Sequence, residues 1–338
     1  MPGKIYLKRI SRWFLQYFVV PVVSLWMILA VWYSNLPGKI LPVIAVIALI
    51  SILLAISIKI KDRRHAYGFL FCLFITVLIW HLLVSPSNER DWLPQFRQLT
   101  TADVSKSGDE VIVHNIRNSV YRTKDDFDIR YYDKTFSIEQ IRGVDLLISY
   151  WGNKSIAHTF LSFEFADDQH LAISIEIRPE SDESYNPLAG LFKQYELFYA
   201  VGDERDIIRL RTNYRMEDTY LYQSSASPEQ AWALFTDMMN RINHLADKPD
   251  FYGTIRQNCT TALVRHVNKI LSEEIPFSGR LLFNGFSDKL AYSKGLIRAT
   301  RPFPELKAAC YISGIARELD QDPQFSSKIR THIQQALK

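Results

Sequence analysis

Between Trp13 and Tyr33 the chain carries no charged residue. At ~1.5 Å per residue, a helix over that run crosses the roughly 30 Å of hydrocarbon in a bilayer. Residues 40–58 and 68–84 read the same way. Only a helix satisfies its own backbone in lipid, so three such runs commit the first 84 residues to three transmembrane helices. The first run opens on basic residues as a signal peptide does, but it is too long and two further spans come after it. Lys4, Lys8, Arg9 and Arg12 precede span one, and Lys59, Lys61, Arg63 and Arg64 separate spans two and three, against Lys39 alone between spans one and two. The positive-inside rule then predicts a cytoplasmic N-terminus in an inner membrane and an extracytoplasmic location for residues after 84. Trp13, Trp32, Tyr33, Trp80 and Trp92 fall at plausible interface levels. His81 and Cys72 are the reactive groups within the spans. They have no acidic partner there, which argues against a transport path.

The formal charge of +4 is uneven. Nine Lys or Arg and one acid, Asp62, lie in the first 84 residues, so the totals of 40 and 36 leave 31 basic and 35 acidic residues beyond them, a net of −4. The basic balance therefore belongs to the membrane flanks, and no nucleic-acid partner is expected. Ser85-Pro86-Ser87-Asn88 is a linker too short to carry the downstream chain far from the bilayer. Strand signals at Glu110–His114 and Val144–Trp151 bracket a polar stretch around Thr123–Asp128. Residues 155–165 and 171–178 flank Asp167-Asp168-Gln169 and read as a β-hairpin. Alternation puts Leu161, Phe163, Phe165, Leu171, Ile173, Ile175 and Ile177 on one face, and His158, Ser162, Ser174, Glu176 and Arg178 on the other. A loop centred on Asp167 sets His158 opposite Glu176; one centred on Asp168 sets it opposite Arg178, with Glu176 on the diagonal.

Further on, Asp203-Glu204-Arg205-Asp206 leads into residues 207–211, read as a strand whose alternate arginines could hold a polar headgroup or carboxylate but fit a solvated, salt-bridged face better. Ser227-Pro228-Glu229-Gln230 supplies a cap, an N1 proline and a capping-box glutamine for a helix with an ordinary apolar stripe. Asn258 caps another helix that Cys259 opens, and Cys259, Leu263, Val267 and Leu271 share its apolar face. Helix N-termini favour thiolate over thiol, and thiolate attacks carbonyl carbon. With His158 as base and Glu176 as its orienting acid, Cys259 makes a catalytic set for acyl transfer; Asn258, Ser162, Ser174 and Arg178 are weaker candidates for orienting or binding substrate. A buried structural cysteine and a half-buried strand histidine are the plainer readings of the same residues. His266 lies on the Cys259 helix seven residues on, about 10 Å along its axis, too far to serve as the base. Three cysteines form no disulfide framework, although an oxidising compartment would permit Cys259 and Cys310 to pair. No phosphate loop or zinc-spaced set is present, so neither cofactor nor metal is implied. Residues 272–300, with Gly279, Gly285 and Gly295 among Leu281, Leu282, Phe283 and Phe286, suggest an apolar loop able to cover an acyl chain. A last helical pair, about 305–319 and 324–337, offers packing alone.

The order of histidine, strand polar residue and helix-opening Asn-Cys is reversed relative to papain and resembles the permuted papain-like group. Ser87–Trp92 (SNERDW), Asn115–Asn118 (NIRN), Ser149–Trp151 (SYW), Ile156–Thr159 (IAHT), Ser174–Arg178 (SIEIR), Asp203–Asp206 (DERD) and Asn258–Thr261 (NCTT) together resemble the DUF4105 family. That family's domain is the N-terminal domain of Lnb-type lipoprotein intramolecular transacylases, and the resemblance spans about residues 87–300. It implies an α+β fold, a permuted papain-like antiparallel sheet with helices, in residues 85–300, with 301–338 as a helical extension packed on it. It also implies thiol-mediated movement of an acyl chain from a lipoprotein's diacylglyceryl group to its α-amino group, with Cys259 as nucleophile, His158 as base, and a membrane lipid or lipoprotein as partner. A papain-like amidase or peptidase acting on cell-wall peptides, and a non-catalytic envelope scaffold, are the alternatives.

Overall fold

A computed structural model describes residues 13–34, 36, 38 and 40–337, in two compact units: Met1–Pro86 with Asn186–Tyr195, and Ser87–Tyr185 with Glu196–Lys338. Lys4, Lys8, Arg9, Arg12 and Lys39, on which the topology expectation partly rests, lie outside the described residues.

In the first unit the three spans are helices α1 (Leu15–Trp32), α2 (Ile40–Lys59) and α3 (Arg63–Leu83). The third begins before position 68 because Asp62 caps it, accepting a hydrogen bond from the Arg64 N–H at 2.9 Å. Met27, Ala30, Val46, Leu49 and Val77 meet between the helices, while Ile40, Ile58 and Leu83 point outward. Phe192, from Asn186–Tyr195, joins that cluster and stacks on Tyr33 at 6.0 Å, and the Lys193 ammonium donates to the carbonyls of His81 and Val84 at 3.0 and 3.1 Å.

The second unit is built on an eight-stranded mixed sheet: β1 (Thr101–Val104), β2 (Glu110–Arg117), β3 (Tyr131–Ser137), β4 (Ile141–Tyr150), β5 (Ala157–Phe165), β6 (Gln169–Arg178), β7 (Glu196–Gly202) and β8 (Asp218–Gln223). Their order is β1-β2-β7-β6-β5-β4-β8, with β3 also paired to β2. Every pairing is antiparallel except the short parallel contact of β2 with β7. The β5/β6 hairpin turns through Asp167 and Asp168, both at positive φ (58° and 57°), as a type I′ turn requires. Phe160 pairs with Ser174 and Phe165 with Gln169, the register centred on Asp167.

Both faces of the sheet are covered. Helix α5 (Pro228–Asp247), opened by the Ser227/Gln230 capping box, sets Phe235 against Phe136, Phe163 and Phe165. On the other face Phe160, Ala172 and Ala200 pack with Ile208, Ala316, Phe325, Ile329 and Ile333. The polar hairpin face is thus buried as well, so strand alternation marks two different interiors here. Residues 207–211 are not a strand. Asp203 accepts from the Arg205 N–H at 2.9 Å and starts helix α4 (Glu204–Arg209), which runs into a π-helical turn, Leu210–Tyr214. The arginines expected on a solvated face, Arg209 and Arg211, are buried.

Helix α6 (Cys259–Asn268) comes next. Residues 272–300 hold short helices at Gly279–Leu282 and Ser287–Ser293 with a 3₁₀ turn at Asn284–Phe286 between them. The expected last pair of helices is four shorter ones: Phe303–Ala309, Ser313–Glu318, Phe325–Lys328 and Thr331–Ala336.

Candidate functional site

Cys259 and His158 line one cleft of about 340 Å³ in the second unit, with Glu176, Trp151, Tyr185, Tyr252, Asn284, Arg211 and Arg215. Local structure explains the meeting. His158 is the second residue of β5, and Cys259 is the first of α6. Their chain neighbours Thr159 and Thr260 hydrogen-bond through their hydroxyls at 2.9 Å, pinning the strand start to the helix start. Asn258 completes the helix end: its side chain accepts from the Thr261 N–H at 2.8 Å, the Thr261 hydroxyl accepts from the Asn258 N–H at 3.0 Å, and its amide donates to Thr254.

The histidine's second partner fixes its tautomer. The Ser174 hydroxyl donates to the Glu176 carboxylate at 2.7 Å, so at 2.6 Å from His158 Nε2 it is left to accept, and Nε2 carries the proton. Nδ1 makes no hydrogen bond among the described residues and keeps its lone pair for the cleft. Glu176 therefore orients the ring through Ser174, its own oxygen lying 3.8 Å from Nε2. Burial works to raise the Glu176 carboxyl, but Arg211 at 2.6 Å, then His158 and Arg215, hold it at about 2. Arg211 is held in turn by Glu217, which accepts from the Ser149 hydroxyl at 2.6 Å. Burial first, and then the Arg211 charge, push His158 well below its ordinary value, so the ring is a neutral base at neutral pH.

Asn284 is the partner that sequence reasoning missed. Its Oδ1 accepts from the buried Ala157 N–H at 2.8 Å, which aims Nδ2 at Cys259 Sγ, 3.4 Å away. Gly285 holds this turn down: a Cβ there would meet the Lys154 carbonyl oxygen at 2.1 Å. Its only sequence signal was Gly285 beside a polar residue in an otherwise apolar stretch. Tyr252 also faces the cleft, and burial first, then the nearby Cys259, push its phenol well above the ordinary value, so it stays a donor.

The remaining candidates lie elsewhere. Ser162 donates to Glu204 at 2.5 Å, within a buried cluster in which Arg330 bridges Glu204 and Asp145. Arg178 sits under the Trp92 ring at 4.3 Å and donates to the carbonyls of Phe96 and Arg97 and to Asn88. Neither is among the residues that line the cleft. His266 is held between Tyr199 and Asp237 at 2.7 Å each, and all three cysteines are free thiols. The Asn115–Asn118 and Asp203–Asp206 segments meet in the two-pronged Arg117–Asp206 pair, 2.9 Å on each side, well inside the core. Among the described residues no cluster of three or more His, Cys, Asp or Glu is placed to hold a metal.

Fold and cleft together define an α+β domain, preceded in sequence by three membrane-length helices, with a sulfur, an imidazole and a carboxylate on one cleft. Residues 128–285 match the family model of the Lnb N-terminal periplasmic domain, the family that the chain's motifs resemble. The match contains His158, Ser174, Glu176, Cys259 and Asn284. No curated protein and no solved structure matches the chain. The chain thus joins a segment similar to the Lnb N-terminal periplasmic domain to three helices long and apolar enough to cross a membrane.

Proposed function

We propose that this protein is a cysteine-dependent acyltransferase of permuted papain-like type, anchored in the inner membrane with its cleft on the outer side, that moves an acyl chain from the diacylglyceryl group of a lipoprotein to the lipoprotein's amino terminus. The observation that carries the reading is the hydrogen-bonded chain Glu176–Ser174–His158 beside Cys259 on one cleft, an arrangement that favours the His158 proton on Nε2 and leaves Nδ1 as the base for the thiol. Cys259 Sγ would attack the ester carbonyl carbon as Nδ1 takes the thiol proton. Asn284 Nδ2 and the Cys259 backbone N–H at the start of α6 would receive the charge that develops on oxygen. Collapse breaks the ester C–O bond, and the glycerol oxygen leaves with the proton from His158. The amine then attacks the thioester, gives its proton to His158, and the thiolate departs and is reprotonated. Water in place of the amine would give a hydrolase on the same residues.

The test is mass spectrometry of the intact protein with a short-chain diacylglyceryl ester. The expected result is one acyl adduct on Cys259, discharged by an amine acceptor and absent from Cys259→Ala. Cys310 serves as internal control: burial pushes its thiol up to about 12 and leaves it inert. An adduct that persists in Cys259→Ala, or none in the wild type, refutes the proposal.

A further inference from the structure

Arg215 stands where the π-helical turn ends, and it is unlike the other arginines of the unit's interior. Arg117 is held by Asp206 through two hydrogen bonds, Arg330 by Glu204 and Asp145, and Arg211 by Glu176 and Glu217. The Arg215 guanidinium makes no hydrogen bond among the described residues. Its one ionic contact is Glu217 Oε1 at 4.0 Å, and its side chain is 38% exposed. The carboxylates within reach of it are already engaged: Glu176 with Ser174 and Arg211, Glu217 with Ser149 and Arg211. The Arg215 side chain lines the Cys259/His158 cleft, and with Lys124 it lines a smaller adjoining recess. The next residue, Met216, sits at φ 56°, a left-handed conformation that costs a non-glycine residue energy.

An arginine with its fork unmet on the wall of a reactive cleft is a recognition element for a planar or tetrahedral anion. We infer that Arg215, with Lys124 in the adjoining recess, forms an anion subsite at the edge of the cleft, which takes a phosphate or carboxylate carried by the ester substrate while the ester carbonyl lies at Cys259. Crowding by Arg211 supports this from another side. Burial first, then that neighbouring charge, hold the Arg215 guanidinium below its ordinary value, a penalty that an incoming anion relieves. The inference rests on the acyltransferase reading only for the identity of the anion's carrier. The subsite itself needs nothing more than the cleft.

Two measurements on the full chain in neutral detergent separate these layers. The first compares alkylation of Cys259 by iodoacetate and by iodoacetamide, equal in reach and differing in one carboxylate. The rate ratio should favour iodoacetate in the wild type and fall about 5- to 10-fold in Arg215→Ala, with Arg215→Lys between the two because a point charge keeps attraction but loses the fork. Inorganic phosphate should slow iodoacetate in the wild type and not in Arg215→Ala. The second follows thioester formation from three donors with identical short acyl chains: dioctanoylglycerol, its hemisuccinate, and dioctanoylphosphatidylglycerol. One or both anionic donors should exceed the neutral one at least about 10-fold in kcat/KM, with the better of them identifying phosphate or carboxylate, and Arg215→Ala should collapse that ratio towards one. An alkylation ratio unchanged by Arg215→Ala overturns the subsite, as does an equal preference among the donors. No thioester from any donor, with the alkylation ratio shifted as expected, sinks the acyltransferase reading and leaves the subsite standing.

Discussion

Replacing Asn284 separates what this residue does for chemistry from what it does for the fold. Its two amide atoms face different partners: Oδ1 accepts the Ala157 N–H at 2.8 Å, and Nδ2 lies 3.4 Å from Cys259 Sγ. Asn284→Ala removes both. The Ala157 N–H, in a residue fully buried, then loses its acceptor, at about 1–3 kcal/mol of stability. Losing one donor from the place where negative charge develops lowers kcat by ~10²–10³, or about 2.7–4 kcal/mol of barrier. Asn284→Asp keeps an acceptor for Ala157 but turns an oxygen towards the sulfur. Its melting temperature should return most of the way to wild type while its rate stays as low as that of Asn284→Ala or lower. Single-turnover thioester formation, read by mass, gives the rate, and thermal unfolding in the same detergent gives the stability. An Asn284→Asp protein that acylates within about 3-fold of wild type would show that the amide nitrogen has no part in the reaction, and the reasoning from its orientation would fail.

Ser174→Ala should leave His158 Nε2–H without an acceptor, since Glu176 stands 3.8 Å off, and slow Cys259 acylation ~10–100-fold, about 1.4–2.8 kcal/mol; a change under 2-fold in a stopped-flow thioester assay would contradict the relay. Arg330→Leu strands two buried carboxylates, Glu204 and Asp145, and should lower stability by about 3–5 kcal/mol in urea titration, whereas an unchanged midpoint would refute the assignment. Acid should weaken the fold in two stages. His158 is depressed, so its contribution is whole above the ordinary histidine value and lost below it; Glu176, held at about 2, contributes above the ordinary carboxylate value and loses that contribution as pH falls towards 2. Melts of His158→Gln across this range should lack the first stage, and a curve parallel to wild type would disprove it.

Much of the candidate site was legible because its residues announce themselves locally. An asparagine before a cysteine at the head of an amphipathic stripe specifies a capped helix, and two acidic residues between alternating runs specify a tight hairpin, so α6 and β5/β6 fall where their patterns place them. The register, open in the pattern between two choices, is fixed by the pairing of the folded strands, Phe165 with Gln169, which centres it on Asp167. What the pattern could not supply is long-range. Residues 207–211 alternate like a strand, yet the Asp203 cap and the burial of Arg211 against Glu176 and Glu217 win over the local alternation. Asn284 carries no motif of its own, and the pattern that names Ser174 does not say that it links Glu176 to the ring; these roles come from Ala157, Glu176 and the sulfur, which only the folded sheet brings to them. The family-like segments around Asn88, Arg117 and Asp206 turned out to be braces, since a buried ion pair and a reactive one look alike until their surroundings are known.

Arg330 comes after every residue of the cleft along the chain, yet it closes the cluster of Glu204, Asp145 and Ser162 beneath the hairpin that carries His158. A polypeptide emerging in order would therefore contain both Cys259 and His158 before the arginine that closes this cluster has been made. The brace beneath that hairpin is complete only once the downstream segment has also been made.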